Sequence, residues 1–64
     1  MRRFEHQGRF WEIEPSGKWF TVRFGKVGSA GQTQVKDFPD EARAEKEYDK
    51  IVREKTNKGY VEVS

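Results

Sequence analysis

The chain of 64 residues contains no leucine and no cysteine. Its hydrophobic core therefore has to be built from aromatic and β-branched side chains, which suit a pleated, half-buried strand surface. A chain of this size buries only about 60% of its unfolded surface, so the core must be small. Aromatic residues form 14% of the sequence, in short runs bounded by glycine and proline. We expect one folded domain over residues 1–64, with aromatic strands at its centre.

Several classes of protein are disfavoured by composition. Without cysteine there is neither a disulfide framework nor a thiolate metal site, and we expect no metal and no cofactor. No apolar run approaches the roughly 18 residues of a membrane span, and the N-terminus lacks the apolar stretch of a signal peptide. The sequence therefore predicts a cytoplasmic domain with no membrane partner.

The first two-thirds of the chain has the pattern of strands. In segment 9–14, Trp11 and Ile13 alternate with Glu12 and Glu14, which predicts a half-buried strand with both glutamates on a solvated face. Turn residues 15–18 lead into segment 19–27, which is rich in aromatic and β-branched residues and is predicted as the longest strand. The loop 28–31 then connects it to a returning strand at 32–38. Segment 2–6 is expected to form a short edge strand.

A helix is predicted after these strands. Pro39 discourages backward extension, and the Asp40 carboxylate is suited to accept hydrogen bonds from the first turn. One helical face is formed by Ala44, Tyr48, Ile51, Val52 and the methylene stem of Lys55. The helix should stop before Gly59, and segment 60–63 can return as a short closing strand. The predicted fold is α+β, an antiparallel sheet of four to five strands with one helix packed on one face.

This architecture leaves one sheet face uncovered. On the long strand, Phe20, Val22 and Phe24 should point to one side, and Trp19, Thr21 and Val27 to the other. A single helix covers only one of these sides. The remaining aromatic side chains must be exposed, lie under a loop, or be redirected by a bulge at Gly25.

Catalytic chemistry is hard to assemble from this sequence. His6 is the only imidazole and stands near an end of the chain, and Ser16 and Ser29 lie in predicted turns. Glu12 and Glu14 would need a deep pocket to act as a general acid–base pair, so a solvated strand face is the favoured interpretation. We expect the chain not to be an enzyme.

The segment 23–32 carries the strongest functional signal. It places Phe24 between Arg23 and Lys26, and the spacing of its glycines at 25, 28 and 31 matches no nucleotide-binding motif. Rings that stack and cations that meet phosphates are the chemistry of nucleic-acid binding. The basic excess also lies in this half, because residues 1–39 carry seven cations and four anions. Alternatively, Phe24 is a core residue, the cations are solvated, and Gly28 and Gly31 serve only the hairpin turn.

These residues resemble the motif of the WGR domain, an aromatic residue (usually Trp), then Gly, Arg, an aliphatic residue and Gly, followed by a loop with Gly-Gln. Here the motif stands as Phe24-Gly25-Lys26-Val27-Gly28, then Gly31-Gln32. The likeness extends to segments 10–13 and 36–38 and to the helix with its ending at 54–60. The resemblance implies a compact sheet with one helix, of the small bacterial type.

The resemblance also implies a function. In poly(ADP-ribose) polymerases, a WGR domain helps to recognise DNA strand breaks through its Trp and Arg. By position, Phe24 would take the stacking role and Lys26 the cationic role. Phenylalanine keeps a stacking face without the indole N–H, and lysine keeps the charge without the planar fork of arginine. No polymerase region accompanies the motif in this chain.

The sequence therefore predicts a non-catalytic module that binds nucleic acid, with DNA favoured. Its alternative is a protein-interaction or dimerisation module that uses the same surface. The residues predicted to form the binding surface are Arg23, Phe24, Gly25, Lys26, Gly28, Gly31, Gln32 and Lys36.

Overall fold

The computed structural model describes residues 1–63 and contains five strands and one helix. The elements are, in chain order, β1 (Arg2–His6), β2 (Arg9–Ser16), β3 (Trp19–Lys26), β4 (Gln32–Asp37), α1 (Glu41–Asn57) and β5 (Val61–Glu62). The predicted α+β class, with one helix on an antiparallel sheet, is confirmed. Strand β2 runs on through Ser16, so the connection to β3 is tighter than the turn expected at 15–18.

The strand order in the sheet is β4-β3-β2-β1-β5, and every neighbouring pair is antiparallel. Strand β1 was expected at an edge, and this is wrong, because β5 returns along it and places it inside the sheet. Only two residues of β5 pair with β1. The other edge is formed by the full six residues of β4, all of them exposed.

The main core lies between α1 and one face of the sheet, here called the helix face. It consists of the buried side chains Phe4, Trp11, Ile13, Phe20 and Val22. The helix contributes the face predicted from its spacing, with Ala44 buried and Tyr48, Ile51, Val52 and Lys55 partly buried. Aromatic area replaces the missing leucines, since a buried ring removes about 150–250 Å² from water.

Both ends of α1 have local causes. Asp40 precedes the helix with extended backbone angles, and its carboxylate accepts a 2.8 Å hydrogen bond from the Arg43 N–H. This confirms the predicted N-cap. At the other end, the Lys58 N–H donates to the Glu54 carbonyl, and the helix ends before Gly59 as expected.

The opposite side of the sheet, here called the open face, has a buried centre of its own. Phe10 is only 1% exposed there, although no helix covers it. The guanidinium groups of Arg3 and Arg23 lie over its ring, 4.5 and 5.4 Å from the centroid, and the loop of the β3–β4 hairpin closes on it. Phe10, Trp11, Glu12 and Ile13 are consequently all buried, so β2 does not show the half-buried alternation expected of it.

Glu12 is the clearest correction to the sequence-based expectations. It was expected on a solvated face beside Glu14, but its residue is only 7% exposed. The cause lies on its two neighbouring strands, because Arg3 donates to Oε2 at 2.9 Å and Arg23 donates to Oε1 at 2.8 Å. Glu14 does lie exposed at the surface.

Residues 25–31 close over Phe10 because two glycines allow a close approach of backbone to ring. A Cβ built on Gly31 would lie 2.7 Å from Phe10 Cζ, and one on Gly25 would lie 2.8 Å from the Gly31 Cα. The pairing of β2 with β3 is continuous through Gly25, so no bulge redirects the strand there. Of the three possibilities for the uncovered aromatics of β3, exposure is realised, by Trp19. The residue that lies under the loop is Phe10 of β2.

Candidate nucleic-acid interface

Arg23 and Phe24 are neighbours in the sequence, but their side chains lie on opposite faces of β3. Phe24 is on the helix face beside Trp11, its partner on β2. Arg23 is on the open face, where its Nε donates to Glu12. The structure therefore does not bring Arg23 and Phe24 together, and the guanidinium of Arg23 is engaged by a buried carboxylate.

Phe24 is half-buried in a groove of about 290 Å³ between the sheet and the C-terminal part of α1. Trp11 and Val22 form its floor, Gln34 and Lys36 come from β4, and Ile51, Glu54 and Lys55 come from the helix. We call this the Phe24 groove. A smaller concavity of about 140 Å³ adjoins it at the end of the sheet, where Arg9 and Tyr60 approach Phe24 and Lys55. An aromatic side chain is thus presented inside a channel lined with cations.

Lys55 is held over the aromatic floor of this channel. Its Nζ lies 5.7 Å from the Trp11 ring centroid and 5.4 Å from that of Tyr60. Burial lowers the pKa of this ammonium group, and the nearby positive charges of Lys58 and Lys36 lower it further, while Glu54 acts in the opposite direction. Burial is thus the main reason that the charged form of Lys55 is disfavoured, and an anionic ligand in the groove would favour that form.

Carboxylates are distributed unequally between the two faces. On the open face, Arg3 and Arg23 share Glu12, and Arg3 also meets Glu5 at 3.0 Å. Arg9, Lys36 and Lys55 line the Phe24 groove or its adjoining concavity, and Lys26 lies beside them as the strand partner of Arg9. Among residues 1–63, none of these four cations makes an ion pair to a carboxylate within 4.0 Å. Glu54 is the acidic residue that lines the groove. Positive charge is therefore neutralised at the centre of the open face and available around the Phe24 groove.

The hairpin loop is a tight turn held by its own backbone. The Ser29 N–H and hydroxyl both donate to the Lys26 carbonyl, at 3.0 and 2.7 Å. Gly28 and Gly31 have φ values of +93° and +72°, which confirms the left-handed conformations expected for a hairpin turn. Gln32 follows on β4 directly opposite Phe24.

Some groove residues were absent from the predicted surface, namely Arg9, Trp11, Lys55 and Tyr60. They come from β2, from the end of α1 and from the segment before β5, so only the tertiary structure brings them to Phe24. One signal was available in the sequence. Lys55 stands on the apolar face of the predicted helix, which indicates that its stem packs on the sheet while its ammonium group reaches the rim.

The fold and the groove together define a small α+β module with an aromatic, basic cleft. The family model of the WGR domain matches residues 2–64, and the chain belongs to the WGR domain family. The resemblance seen in the motif is thereby confirmed. The WGR domain is known as a nucleic-acid-binding module in poly(ADP-ribose) polymerases.

Two curated relatives and one solved structure are similar to this chain. Protein YehF of Escherichia coli is 42% identical over 66 residues, covering 97% of this chain and 24% of its own length. The uncharacterized protein YfeS of the same organism is 41% identical over 58 residues, covering 91% of this chain and 24% of its own. A Bacteroides fragilis protein of known crystal structure superposes with a TM-score of 0.95 at 45% identity, covering 98% of this chain and 19% of that one.

This chain therefore spans about a quarter of the length of the curated relatives that it matches. In the part that the structure describes, no helix is long and apolar enough to cross a membrane. The same residues contain no group of three or more His, Asp or Glu side chains that could hold a metal ion.

Proposed function

We propose that this domain is a non-catalytic module that binds nucleic acid, with DNA as the favoured ligand, through the Phe24 groove. The observation that carries the proposal is a half-buried aromatic ring beside three lining cations and the adjacent Lys26, none of which has a carboxylate partner in residues 1–63. Phosphate contacts from Lys and Arg supply most of the affinity of sequence-independent binding, and rings add stacking on sugar or base.

In this proposal the predicted surface residues divide into two groups. Phe24 provides the stacking surface, Lys26 and Lys36 meet phosphates from the hairpin, and Arg9 and Lys55 extend the same positive channel. Gln32 and the N–H groups around Gly28 supply further polar donors at the exposed loop. Arg23 and Gly31 lie behind the groove, where they pack on Phe10. Gly25 allows the close approach of the hairpin and also lines the adjoining concavity.

The number of groove cations sets the expected salt dependence. Neutralising about four phosphates gives a slope of log K against log salt of roughly −3.6 on duplex DNA. Between 50 and 200 mM salt, the affinity should then fall by roughly two orders of magnitude. A domain that contacts nucleic acid through one or two peripheral lysines would show at most about half of this slope.

The test is fluorescence anisotropy with a short labelled blunt duplex, a nicked duplex and a single strand, each titrated at several salt concentrations. Lys26→Gln and Lys36→Gln should each weaken binding and reduce the salt slope by about one. Phe24→Leu keeps apolar bulk but removes the stacking ring, and should cost about 5- to 150-fold in affinity, as expected from the 1–3 kcal/mol of a stacked base.

Matched control variants are Lys46→Gln and Lys50→Gln. Both lysines lie on the outer surface of α1, away from the groove, and carry the same charge as the test residues. They should leave the affinity close to that of the wild type. Absence of binding to all three probes at low salt would refute the proposal, and so would equal effects of the test and control substitutions.

A protein-interaction module is the second candidate, and one observation favours it. Trp19 and Val35 are 48% and 56% exposed on the open face, where they are diagonal neighbours across β3 and β4 and form an apolar patch. A protein partner bound through apolar contacts would give an affinity with little salt dependence, which separates this candidate from nucleic-acid binding.

A further inference from the structure

The edge strand β4 carries an unused row of backbone hydrogen-bonding groups. Phe38 N–H donates to the Lys18 carbonyl at 2.9 Å, which fixes the alternation of the β3–β4 ladder. Residues at even positions of β4 therefore direct their N–H and C=O groups toward β3. The odd positions Thr33, Val35 and Asp37 direct theirs outward, away from the sheet. All three residues are exposed.

We propose that this edge pairs with β4 of a second copy of the chain, giving a continuous ten-stranded antiparallel sheet in a two-fold symmetric dimer. This inference assigns a partner and a register to the second candidate function and does not depend on nucleic-acid binding. The pairing places Val35 opposite Val35 of the second copy, and Thr33 opposite Asp37 of the second copy. About six backbone hydrogen bonds would form, two for each of the three facing pairs.

The side chains of β4 favour this register over its neighbours. Moving the second copy one pair toward Asp37 sets Lys36 directly against its own equivalent, and like charges directly opposite each other are destabilising. Moving it the other way removes one of the three hydrogen-bonded pairs. Parallel pairing in register would align both Lys36 and Asp37 with their equivalents. The chosen register instead sets Lys36 against Gln34 and joins two exposed valines at the two-fold axis.

The proposed arrangement leaves the Phe24 groove open in both copies. Pairing uses outward backbone groups, while Gln34 and Lys36 keep their side chains on the helix face. Both grooves then lie on the same side of the joined sheet, and the two Lys36 side chains become diagonal neighbours about 7–8 Å apart. Because salt screens this repulsion, dimerisation should strengthen with salt, whereas nucleic-acid binding should weaken.

The opposite edge is unsuited to such pairing. Strand β5 has only two residues, and the Arg2 side chain is joined to Glu62 there by two hydrogen bonds of 2.9 Å. Short edge strands are one of the means by which sheets avoid edge-to-edge association. Val61 is nevertheless 65% exposed on β5, which makes it a matched control for Val35.

The test is sedimentation equilibrium of the whole chain from about 10 μM to 1 mM, the range in which an interface smaller than the standard size is expected to associate. Val35→Pro removes one of the outward N–H groups, and proline is tolerated on an edge strand. Val35→Lys places the introduced lysines of the two copies directly opposite each other at the two-fold axis. Both substitutions should abolish the dimer. Val35→Thr and Val61→Lys should leave it, with circular dichroism confirming that each variant folds.

Amide hydrogen exchange at high and low chain concentration gives the register. The amides of Thr33, Val35 and Asp37 should become protected on association, while those of Gln34 and Lys36, already bonded to β3, should change little. A chain that is monomeric at every concentration and salt overturns the proposal, and so does a dimer that survives both Val35→Pro and Val35→Lys. DNA binding is measured in parallel on Val35→Pro, which keeps every residue of the Phe24 groove but cannot pair through β4, so failure of either proposal is recognised separately.

Discussion

The closure of the hairpin on Phe10 makes Gly31 the position where one methyl group should do most damage. In Gly31→Ala, the new Cβ would lie 2.5 Å from the Phe24 carbonyl oxygen and 2.7 Å from Phe10 Cζ. The backbone oxygen cannot move without breaking the strand, and the ring is already enclosed by Arg3 and Arg23. The substitution therefore forces the loop away from the open face.

Gly28→Ala provides the matched comparison. Gly28 also has a positive φ, but an added Cβ there meets no atom within 4 Å. Its cost is the left-handed backbone alone, about 1–2 kcal/mol. Gly31→Ala carries the same backbone cost plus an overpacking cost of about 1–3 kcal/mol. For a domain of this size, that excess corresponds to a Tm about 5–20 °C below that of Gly28→Ala.

Thermal unfolding followed by far-ultraviolet circular dichroism measures the difference directly. A second comparison identifies its cause, because Phe10→Leu shortens the side chain that the new methyl meets. In that background, Gly31→Ala should lose less additional stability than in the wild type, which a double-mutant cycle detects. If Gly31→Ala and Gly28→Ala lower the Tm equally, the loop does not pack on Phe10 as described and the reasoning is refuted.

Two further predictions concern the open face and the helix start. Burial raises the pKa of Glu12, but hydrogen bonds from Arg3 and Arg23 outweigh this and leave the pKa below its ordinary value. The ionised carboxylate therefore stabilises the fold at pH values above its unfolded pKa. This contribution is lost as the pH falls through the folded pKa. Glu12→Gln should lower the free energy of unfolding by about 1–3 kcal/mol at pH 7 and by much less at low pH. Urea unfolding at several pH values measures this difference, and a loss that does not change with pH would contradict the prediction. Asp40→Ala should lower the free energy of unfolding by about 1 kcal/mol, because the Arg43 N–H loses its hydrogen-bond acceptor. Asp49→Ala, at an exposed position inside the helix, is the control. Equal urea midpoints for the two variants would exclude a capping role for Asp40.

Local patterns in the sequence were sufficient for the secondary structure. Alternation of apolar and acidic residues located β2, richness in aromatic and β-branched residues located β3, and the glycines at 28 and 31 located the hairpin. The Pro39-Asp40 pair located the helix start, and the offsets from Ala44 to Lys55 gave its buried face. These signals depend on backbone geometry and on interactions between residues close in the chain. The family motif, read from the same short segments, gave the fold.

The errors share a physical reason. Glu12 was misplaced because its environment is set by Arg3 and Arg23, which reach it from two other strands. The assignment of β1 to an edge was wrong because the last strand, more than fifty residues later, pairs with it. Pairings of this kind depend on chain topology, and alternation within one strand carries no information about them.

The sequence by itself determined that this chain is an aromatic-cored α+β domain of the WGR family with a basic, glycine-rich hairpin. Only the tertiary structure decided which cations share a surface with Phe24. Arg23 is its neighbour in sequence but lies across the sheet against Glu12, whereas Lys55, far along the chain, lies in the same groove. Successive strand residues face opposite sides of a sheet, and a packed helix brings distant residues to one of those sides.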